Sequence, residues 1–158
     1  MSDCCEVTFS RSKSGAEVLG RLIGSAGQTI VAALYRLSSP ALVSALREAG
    51  KRGVAIRLCL NDNDHYEENQ AAQAALRRSG VAFRLLHGYV GAGSKMHHKF
   101  AVIDNRTAVT GSYNWTMESE ERNYENLLAI YHPATVAAYA EEFEALWKEG
   151  RDPDSPAL

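Results

Sequence analysis

The chain has 158 residues, of which 46% are hydrophobic and 23% charged, a composition typical of one globular domain and unlike that of disordered, collagen-like or disulfide-rich proteins. The formal net charge is −2, whereas a dedicated nucleic-acid-binding domain is usually strongly basic. The sequence has no apolar run long enough to span a membrane and no signal-peptide pattern at its start, so we expect a cytoplasmic protein without a transmembrane segment.

The first half of the sequence alternates predicted strands with predicted helices. Its elements are, in order, a strand at residues 5–9, a helix at 14–26, a strand at 29–34, a helix from Ser39-Pro40 to about residue 49, a strand at 54–60, a helix at 64–79 and a strand at 81–86. Apolar residues spaced three and four apart indicate the helices, and short apolar or alternating runs indicate the strands. Ser39 is a good N-cap and proline suits the first helical position, which places the start of the second helix.

The second half is predicted to be richer in strands and to end in a helix. Its elements are a mobile loop containing Gly88, Gly91 and Gly93, strands at 100–103 and 107–110 joined by a turn at 104–105, a strand at 127–131 and a helix at 133–147. Strands that alternate with helices before a strand-rich stretch indicate the α/β class, an α+β sandwich with a mixed, mostly buried β-sheet and helices on both faces. We expect one domain over residues 1–150 and a flexible tail at 151–158.

Charge is distributed unevenly along the chain despite the small net value. No acidic residue occurs between Glu68 and Asp104, and the same stretch contains several cations and histidines: Arg77, Arg78, Arg84, Lys95, Lys99, His87, His97 and His98. Such a cluster fits a partner that carries phosphate, but solvated faces of ordinary proteins also collect like charges by chance. Charge alone leaves both interpretations open, and the choice depends on the motif within the stretch.

The cysteines give no sign of a metal site or a disulfide framework. Cys4, Cys5 and Cys59 are an odd number, two of them are adjacent, and no Cys-x-x-Cys pair is present. His97 and His98 are neighbours on a predicted strand and would point to opposite faces, which argues against a shared metal ion. We therefore expect free thiols, no metal and no cofactor.

Polar side chains of the type that binds phosphate bracket the strands at 100–103 and 107–110. His97 and Lys99 are two apart, just before a run that predicts a buried central strand, so both side chains face the same side. Ser112 and Asn114 are two apart after the next strand and can also converge on one point. An imidazole, an ammonium, a hydroxyl and a carboxamide together predict a site for phosphate oxygens.

The spacing of these residues resembles the signature of the phospholipase D superfamily, which is His-x-Lys, four residues, Asp, six residues, then Gly-Ser-x-Asn. Every fixed position is matched, and a later Asn-x-Glu element of the family is similar to residues 123–125; the matching residues are His97, Lys99, Asp104, Gly111, Ser112, Asn114, Asn123 and Glu125. The resemblance implies a phospholipase D-like fold. The superfamily site contains two copies of the motif, whereas this chain has one. The resemblance therefore implies a homodimer with the site on its two-fold axis, as in the subgroup of Nuc-type bacterial endonucleases and mitochondrial cardiolipin hydrolases.

The resemblance also implies a mechanism. His97 of one chain would attack phosphorus and form a phosphohistidine, while His97 of the other chain would protonate the leaving oxygen and later activate water. Lys99, Ser112 and Asn114 would stabilise the charged transition state without a metal ion. Glu125 would accept a hydrogen bond from His97 and fix its tautomer.

Other residues of the motif region are expected to have supporting roles. Asp104 and Gly111 are expected to serve structure. Lys95, Tyr113 and Trp115 are expected to contact substrate, because they flank the phosphate-binding groups. For the two aromatic rings, stacking on a nucleic-acid base and packing in the core remain alternatives.

The identity of the phosphodiester is the least determined part of the prediction. An endonuclease that acts on DNA or RNA is preferred, because the cationic stretch and the glycine loop lie beside the site and a dimer doubles both. The alternative is a phospholipase D or cardiolipin hydrolase, which would need an exposed apolar patch at the mouth of the site. Tyr89, Val90 and Met96 are the candidates for such a patch. A scaffold without activity is disfavoured because the motif is complete.

Overall fold

Seven strands and five helices make up the part of the chain that the computed structural model describes, residues 4–62 and 67–155. The strands are β1 (Cys5–Phe9), β2 (Thr29–Leu34), β3 (Ala55–Asn61), β4 (Ala82–Leu86), β5 (Lys99–Ile103), β6 (Thr107–Gly111) and β7 (Asn126–Ile130). The helices are α1 (Gly15–Ser25), α2 (Pro40–Lys51), α3 (Glu67–Arg78), α4 (Met117–Glu121) and α5 (Pro133–Glu149). The predicted elements are present with slightly shifted ends, and α4 is an addition. The predicted helix start at residue 64 lies outside the described residues.

These strands form one mixed sheet in the order β1-β7-β6-β5-β2-β3-β4. The pairs β2–β3 and β3–β4 are parallel, and the other pairs are antiparallel. One end of the sheet therefore contains the carboxyl ends of β1, β2, β3, β4 and β6 together with the amino ends of β5 and β7. We call this end the upper edge. Both halves of the predicted motif flank strand ends that lie there.

Helices cover both faces of the sheet, as predicted. Helices α1, α2 and α3 pack on one face, where Leu19, Leu46 and Leu76 are fully buried. Helix α5 packs on the other face, where Phe143 joins a second buried cluster with Phe100. Strands β2 and β5 contribute side chains to both clusters, so the centre of the sheet is buried on both sides. None of the helices within the described ranges is long and apolar enough to cross a membrane.

Side-chain caps fix the starts of three helices. Ser14, Ser39 and Thr116 each accept a backbone N–H of the first turn, at 3.0, 3.4 and 3.2 Å respectively. Pro40 occupies the first turn of α2, where its missing N–H is not needed. The predicted start of α2 at Ser39-Pro40 is confirmed.

The segment that follows α5 is attached to the sheet at its start. The backbone N–H and C=O of Arg151 exchange hydrogen bonds with Leu85 of β4, both at 3.0 Å. The Arg151 guanidinium also donates to the buried Asp62 carboxylate at 2.7 Å. Arg151 is thus held against β4, which differs from the free tail expected from residue 151. Mobility of the tail beyond it stays a prediction, and residues 156–158 lie outside the described part.

Candidate active site

His97 and Lys99 lie side by side at the upper edge, where the chain enters β5. The Lys99 ammonium is 3.3 Å from Nδ1 and 3.4 Å from Nε2 of His97, and it donates a hydrogen bond to the His97 carbonyl oxygen at 2.9 Å. Lys99 pairs in register with Leu34 at the end of β2, so the buried centre of the sheet holds it in place. The arrangement places a fixed positive charge next to a ring that can act as a nucleophile.

Tyr35 forms one wall of this site and was missed in the sequence analysis. Its ring centroid is 4.4 Å from that of His97, and the ammonium groups of Lys99 and Lys95 are 5.2 and 5.8 Å from the same ring. The backbone N–H of Tyr35 donates to the carbonyl of His98 at 2.7 Å, which continues the β2–β5 pairing beyond the strand ends. The sequence contains one indication of this role: Tyr35 directly follows a predicted buried strand, and residues that follow this strand reach the upper edge.

The surroundings of His97 favour the neutral form of its ring. Burial lowers the pKa of His97, and the positive charges of Lys99 and Lys95 and the neighbouring His98 lower it further. Burial also lowers the pKa of Lys99, although the charge of Glu125 acts in the opposite direction. A neutral imidazole keeps a lone pair available, which is what attack on phosphorus requires.

Ser112 ties the end of β6 to the start of β7. Its Oγ accepts the backbone N–H of Asn126 at 3.1 Å and donates to the carboxylate of Glu125. Gly111 permits this close approach, because a Cβ at that position would lie 2.1 Å from the Asn126 carbonyl oxygen. Its φ of 151° also falls in a region that favours glycine.

Glu125 accepts hydrogen bonds from Ser112 and Asn123, whereas the predicted donor was His97. One of its carboxylate oxygens accepts from Ser112 and the other accepts from the Asn123 amide at 3.2 Å. No hydrogen bond among the described residues joins Glu125 to His97, so the predicted contact is wrong for the single chain. The sheet order explains this result, because β6 lies between β5 and β7 and brings Ser112 to Glu125 first. Its charge still influences the pKa of Lys99.

Asn114 lies beyond the end of β6, and one of its polar atoms is unpaired. The Oδ1 atom is buried and has no hydrogen-bond partner among the described residues. Leaving a buried polar atom unpaired costs free energy, so such atoms in native proteins usually have a partner. The single chain therefore leaves Asn114 with unused hydrogen-bonding capacity, and its contact with phosphate stays a prediction.

Asp104 ties the β5–β6 turn to the connection between α1 and β2. Its carboxylate accepts the backbone N–H groups of Gly27, Gln28 and Thr29 at 2.9, 2.8 and 2.8 Å. Partial burial acts to raise the pKa of Asp104, but the three donors outweigh it, and the pKa lies below its ordinary value. These contacts lie at the opposite end of β5 from Lys99, which separates Asp104 from the site.

His98 faces the other side of the strand from His97. Its Nε2 lies 3.4 Å from a Glu142 carboxylate oxygen on α5, and its ring meets Phe100 edge-on with centroids 5.3 Å apart. Alternation along the strand separates the two histidine side chains, as predicted. Among the described residues, no cluster of three or more His, Cys, Asp or Glu side chains could hold a metal ion.

Tyr113 and Trp115 are core residues, which corrects the predicted substrate contacts. Both side chains are 1% exposed, so neither offers a ring face to a base. The Tyr113 hydroxyl donates to Glu120 at 2.7 Å, and its ring lies against Gly15, where a Cβ would come within 2.5 Å. Trp115 is held by a backbone bridge to Leu37. Of their two alternatives, core packing is the correct one.

A cleft of about 170 Å³ on the α5 side is lined by both His97 and His98. Its walls include the loop residues Gly88, Tyr89 and Lys95, with Glu142 on the opposite side. A larger depression of about 450 Å³ lies next to Glu125, between the end of β1 and Tyr124. Both are lined by residues at the upper edge. The predicted substrate contact of Lys95 fits this position and stays a prediction.

Residues 19–147 match the family model described as the PLD-like domain of cardiolipin synthase. The chain belongs to the phospholipase D-like family. This membership confirms the predicted superfamily and the enzyme class, a hydrolase that acts on phosphodiesters. Within the family, the chain is 34% identical over 145 residues to the mitochondrial cardiolipin hydrolase of Xenopus tropicalis, and 33% identical over 147 residues to that of Mus musculus.

The length of these relatives limits the comparison. The two alignments cover 92% of this chain, and 67% and 63% of the relatives. The chain also aligns with 61% of the Xenopus laevis protein, at 37% identity over 134 residues. It therefore spans roughly two thirds of the length of the curated cardiolipin hydrolases it matches.

The solved structures confirm the fold over almost the whole chain. The phospholipase D family member Nuc from Salmonella typhimurium superposes with a TM-score of 0.87 at 28% identity, covering 96% of this chain and 98% of Nuc. NucT from Helicobacter pylori superposes with a TM-score of 0.81, covering 94% and 99%, and at 19% identity it shows the shared fold alone. The predicted phospholipase D-like fold is thus confirmed.

Proposed function

We propose that this chain cleaves phosphodiesters with His97 as the nucleophile. The observation that carries the proposal is the contact of the Lys99 ammonium with both ring nitrogens of His97, at 3.3 and 3.4 Å. A cation in this position attracts a phosphate group and favours the neutral ring, in which a ring nitrogen can attack phosphorus. Tyr35 packs against the ring and limits its rotation.

The reaction needs a second imidazole, which we propose comes from a second copy of the chain. Attack by the neutral His97 of one copy forms an N–P bond and breaks the bond to the leaving oxygen, which takes a proton from His97 of the second copy. The two rings therefore have to share one proton, so that one is neutral while the other is protonated. Water then attacks the phosphohistidine and gives a proton to the imidazole of the second copy, which releases the phosphate monoester. His87 and His98 are engaged by Asp62 and Glu142, at 3.6 and 3.4 Å, and so are poor candidates for this role.

We propose that turnover needs no metal ion. Two copies of Lys99 in a homodimer would supply the positive charge that many phosphodiesterases obtain from a metal. Asn114 would add a neutral donor through its Nδ2 amide, which can donate a hydrogen bond to a phosphate oxygen. Persistence of turnover in EDTA is the expected result.

The preferred substrate class is a phospholipid with a phosphodiester head group, of the cardiolipin type. The curated relatives named as cardiolipin hydrolases share 33–37% identity with this chain, whereas Nuc shares 28%. This finding reverses the order of the two substrate predictions, in which the endonuclease came first. The exposed Tyr89 and Val90 beside the His97 cleft supply the apolar surface that the phospholipase alternative required.

Endonuclease activity is the second candidate. It is supported by the superposition on Nuc, because the Nuc-type enzymes that the sequence resembles are endonucleases and the match covers 98% of Nuc. The absence of acidic residues between Glu68 and Asp104 also favours a polyanion at the upper edge. A lipid and a nucleic acid would use the same His97 and Lys99.

The deciding experiment compares both substrates in EDTA at low and high salt. Purified protein is given cardiolipin-containing vesicles or a fluorescent single-stranded oligonucleotide, with His97→Ala as the control. We expect release of phosphatidic acid from the vesicles and loss of this release in the variant. Salt-sensitive cleavage of the oligonucleotide with intact vesicles would move the assignment to the endonuclease. Turnover retained by His97→Ala would overturn the proposed mechanism.

A further inference from the structure

The loop between β4 and β5 presents two large apolar side chains to solvent. Tyr89 is fully exposed and Val90 is 84% exposed, although most apolar residues of this size are at least partly covered in a folded domain. Gly88, Gly91 and Ser94 hold the loop in a defined shape: the Gly91 N–H donates to the Gly88 carbonyl at 3.1 Å, and the Ser94 N–H donates to the Gly91 carbonyl at 3.0 Å. Tyr89 and Val90 therefore occupy the two corner positions of a tight turn.

The loop is also packed closely on itself at its base. A Cβ at Gly88 would lie 2.8 Å from the backbone of Lys95, so the two ends of the loop touch. A closed base and a hydrogen-bonded turn project the tip away from the sheet. The exposure of Tyr89 and Val90 thus follows from the local structure of the turn.

The tip stands beside the proposed nucleophile. Gly88, Tyr89 and Lys95 line the same cleft as His97. Other exposed large apolar side chains also collect at the upper edge, since Phe9 ends β1, Met117 begins α4 and Tyr124 precedes β7. The second copy proposed above would pack at this edge, so these three side chains do not indicate a membrane, and the inference rests on the exposed loop tip.

We propose that the tip formed by Tyr89 and Val90 inserts into the surface of an anionic phospholipid bilayer and brings the site to its substrate. The proposal rests on the phospholipid substrate proposed above. Tyrosine suits the boundary between head groups and acyl chains, because its ring is apolar and its hydroxyl is polar. Val90 suits the acyl chains, and it lacks the ring that stacking on a nucleic-acid base would need.

Charge at the loop complements an anionic membrane. Lys95 is on the same loop, and the chain around it carries no acidic residue from 69 to 103. Of the acidic groups near the loop, Asp62 is paired with Arg151 and Glu142 lies 3.4 Å from His98, while Glu149 also lines the cleft. Each lysine or arginine near an anionic bilayer strengthens attraction to it. The tip and Lys95 can therefore act on the same membrane surface.

The test measures vesicle binding separately from catalysis. The double variant Tyr89→Ser/Val90→Ser is made in the His97→Ala background, because this background prevents hydrolysis of the vesicles. Its binding to vesicles is compared with that of His97→Ala alone by co-sedimentation. The vesicles are phosphatidylcholine with or without cardiolipin. We expect the double substitution to weaken binding to cardiolipin vesicles about tenfold. This loss of affinity corresponds to the burial free energy of about one apolar side chain. Val7→Ser is the matched control, because Val7 is exposed within β1 away from the upper edge, and it should bind like the parent.

Three further readouts keep the proposal distinguishable from its alternatives. The single variant Val90→Ser with His97 intact should keep full turnover of a small soluble phosphodiester, because Val90 does not line the His97 cleft. Unchanged vesicle binding in the tip variant would overturn the proposal, while leaving a soluble-substrate phosphodiesterase intact. A change of oligomeric state in light scattering would also overturn the proposal, because it would assign the tip to the interface between copies. Weaker oligonucleotide binding with unchanged vesicle binding would overturn it as well, because it would assign the tip to nucleic acid. Vesicle binding that depends on the tip, in a protein that hydrolyses no phosphodiester, would support the membrane contact and refute the proposed function.

Discussion

Substitution of Asp104 tests whether this motif aspartate acts in chemistry or in structure. The carboxylate accepts three backbone N–H groups, two of them exposed and one partly buried. In Asp104→Asn one oxygen becomes an NH₂ group, so a backbone donor meets another donor and at least one charge-assisted bond is lost. Each hydrogen bond to a charged group contributes about 1.5–3 kcal/mol, and solvent at the exposed positions favours the lower figure. We expect Asp104→Asn to lower the free energy of unfolding by about 1.5 kcal/mol. We expect Asp104→Ala to lower it by about 3 kcal/mol, because water can satisfy the two exposed donors and offsets part of the loss of three bonds.

These losses translate into measurable shifts of the melting temperature. For a domain of this size, 1 kcal/mol corresponds to about 2–4 °C, so we expect decreases of about 3–6 °C for Asp104→Asn and about 6–12 °C for Asp104→Ala. Circular dichroism melts measure the decrease, with Glu141→Gln on the exposed side of α5 as the matched carboxylate control. Turnover of a soluble phosphodiester, measured well below the melting temperature of every variant, should remain close to that of the parent.

The same substitution has a pH signature. The pKa of Asp104 is below its ordinary value in the folded chain, so its carboxylate stabilises the fold above the unfolded pKa, and the contribution is lost as the pH falls through the folded pKa. The gap in melting temperature between parent and Asp104→Asn should therefore shrink in acid. An Asp104→Asn protein with the parent's melting temperature and the inactivity of His97→Ala would refute the structural role.

Three other substitutions or reagents probe the site and the core. Lys99→Met should abolish turnover and raise the pKa of His97, because a positive charge that lowers this pKa is removed. NMR titration of the His97 ring protons measures the shift, and an unchanged or lower pKa would contradict the described electrostatics. Gly111→Ala should lower the free energy of unfolding, measured by denaturant titration, by about 3 kcal/mol or more, since the new methyl would lie 2.1 Å from a carbonyl oxygen. Gly20→Ala is the control, because a methyl at this position of α1 meets open space and should be neutral or stabilising. Cys59 should resist a thiol reagent that modifies the two exposed cysteines, because burial raises the pKa of its thiol to about 12. Rapid modification of all three thiols in the native protein would contradict this prediction and show that this part of the core opens readily.

The elements with strong local signals could be predicted from the sequence, and the contacts between distant residues could not. The apolar runs of β2 and β5 predicted buried central strands, and the Ser39-Pro40 pair predicted the start of α2. Helix α4 was missed because it has five residues, four of them polar, and depends on the cap provided by Thr116. Such a short helix has no periodicity from which to detect it.

The errors at the site come from packing and strand order. Tyr113 looked like a residue that contacts substrate until its ring was found against Gly15, a contact between residues far apart in the sequence. Glu125 was expected to bond to His97, but the position of β6 between their strands gives it Ser112 instead. Tyr35 carries no motif and becomes part of the site through the pairing of β2 with β5. Spacing along the chain predicted which groups react, whereas the residues that support these groups depend on the register of the sheet.

The pairing of β1 with β7 has a consequence for when the site can form during folding. Residues 5–9 pair with residues 126–130, and the Ser10 hydroxyl bonds to the backbone of Asn123 and Glu125, at 3.0 and 2.8 Å. Strand β7, which directly follows Glu125, therefore has a neighbouring strand on both sides only after the chain has closed a loop of more than a hundred residues. Contacts between such distant segments form late and slowly. A nascent chain from which β7 has not yet emerged can form the β2–β3–β4 sheet and its helices, but Ser112 still lacks its contacts with Glu125 and Asn126, so the proposed site is complete only after β7 has emerged.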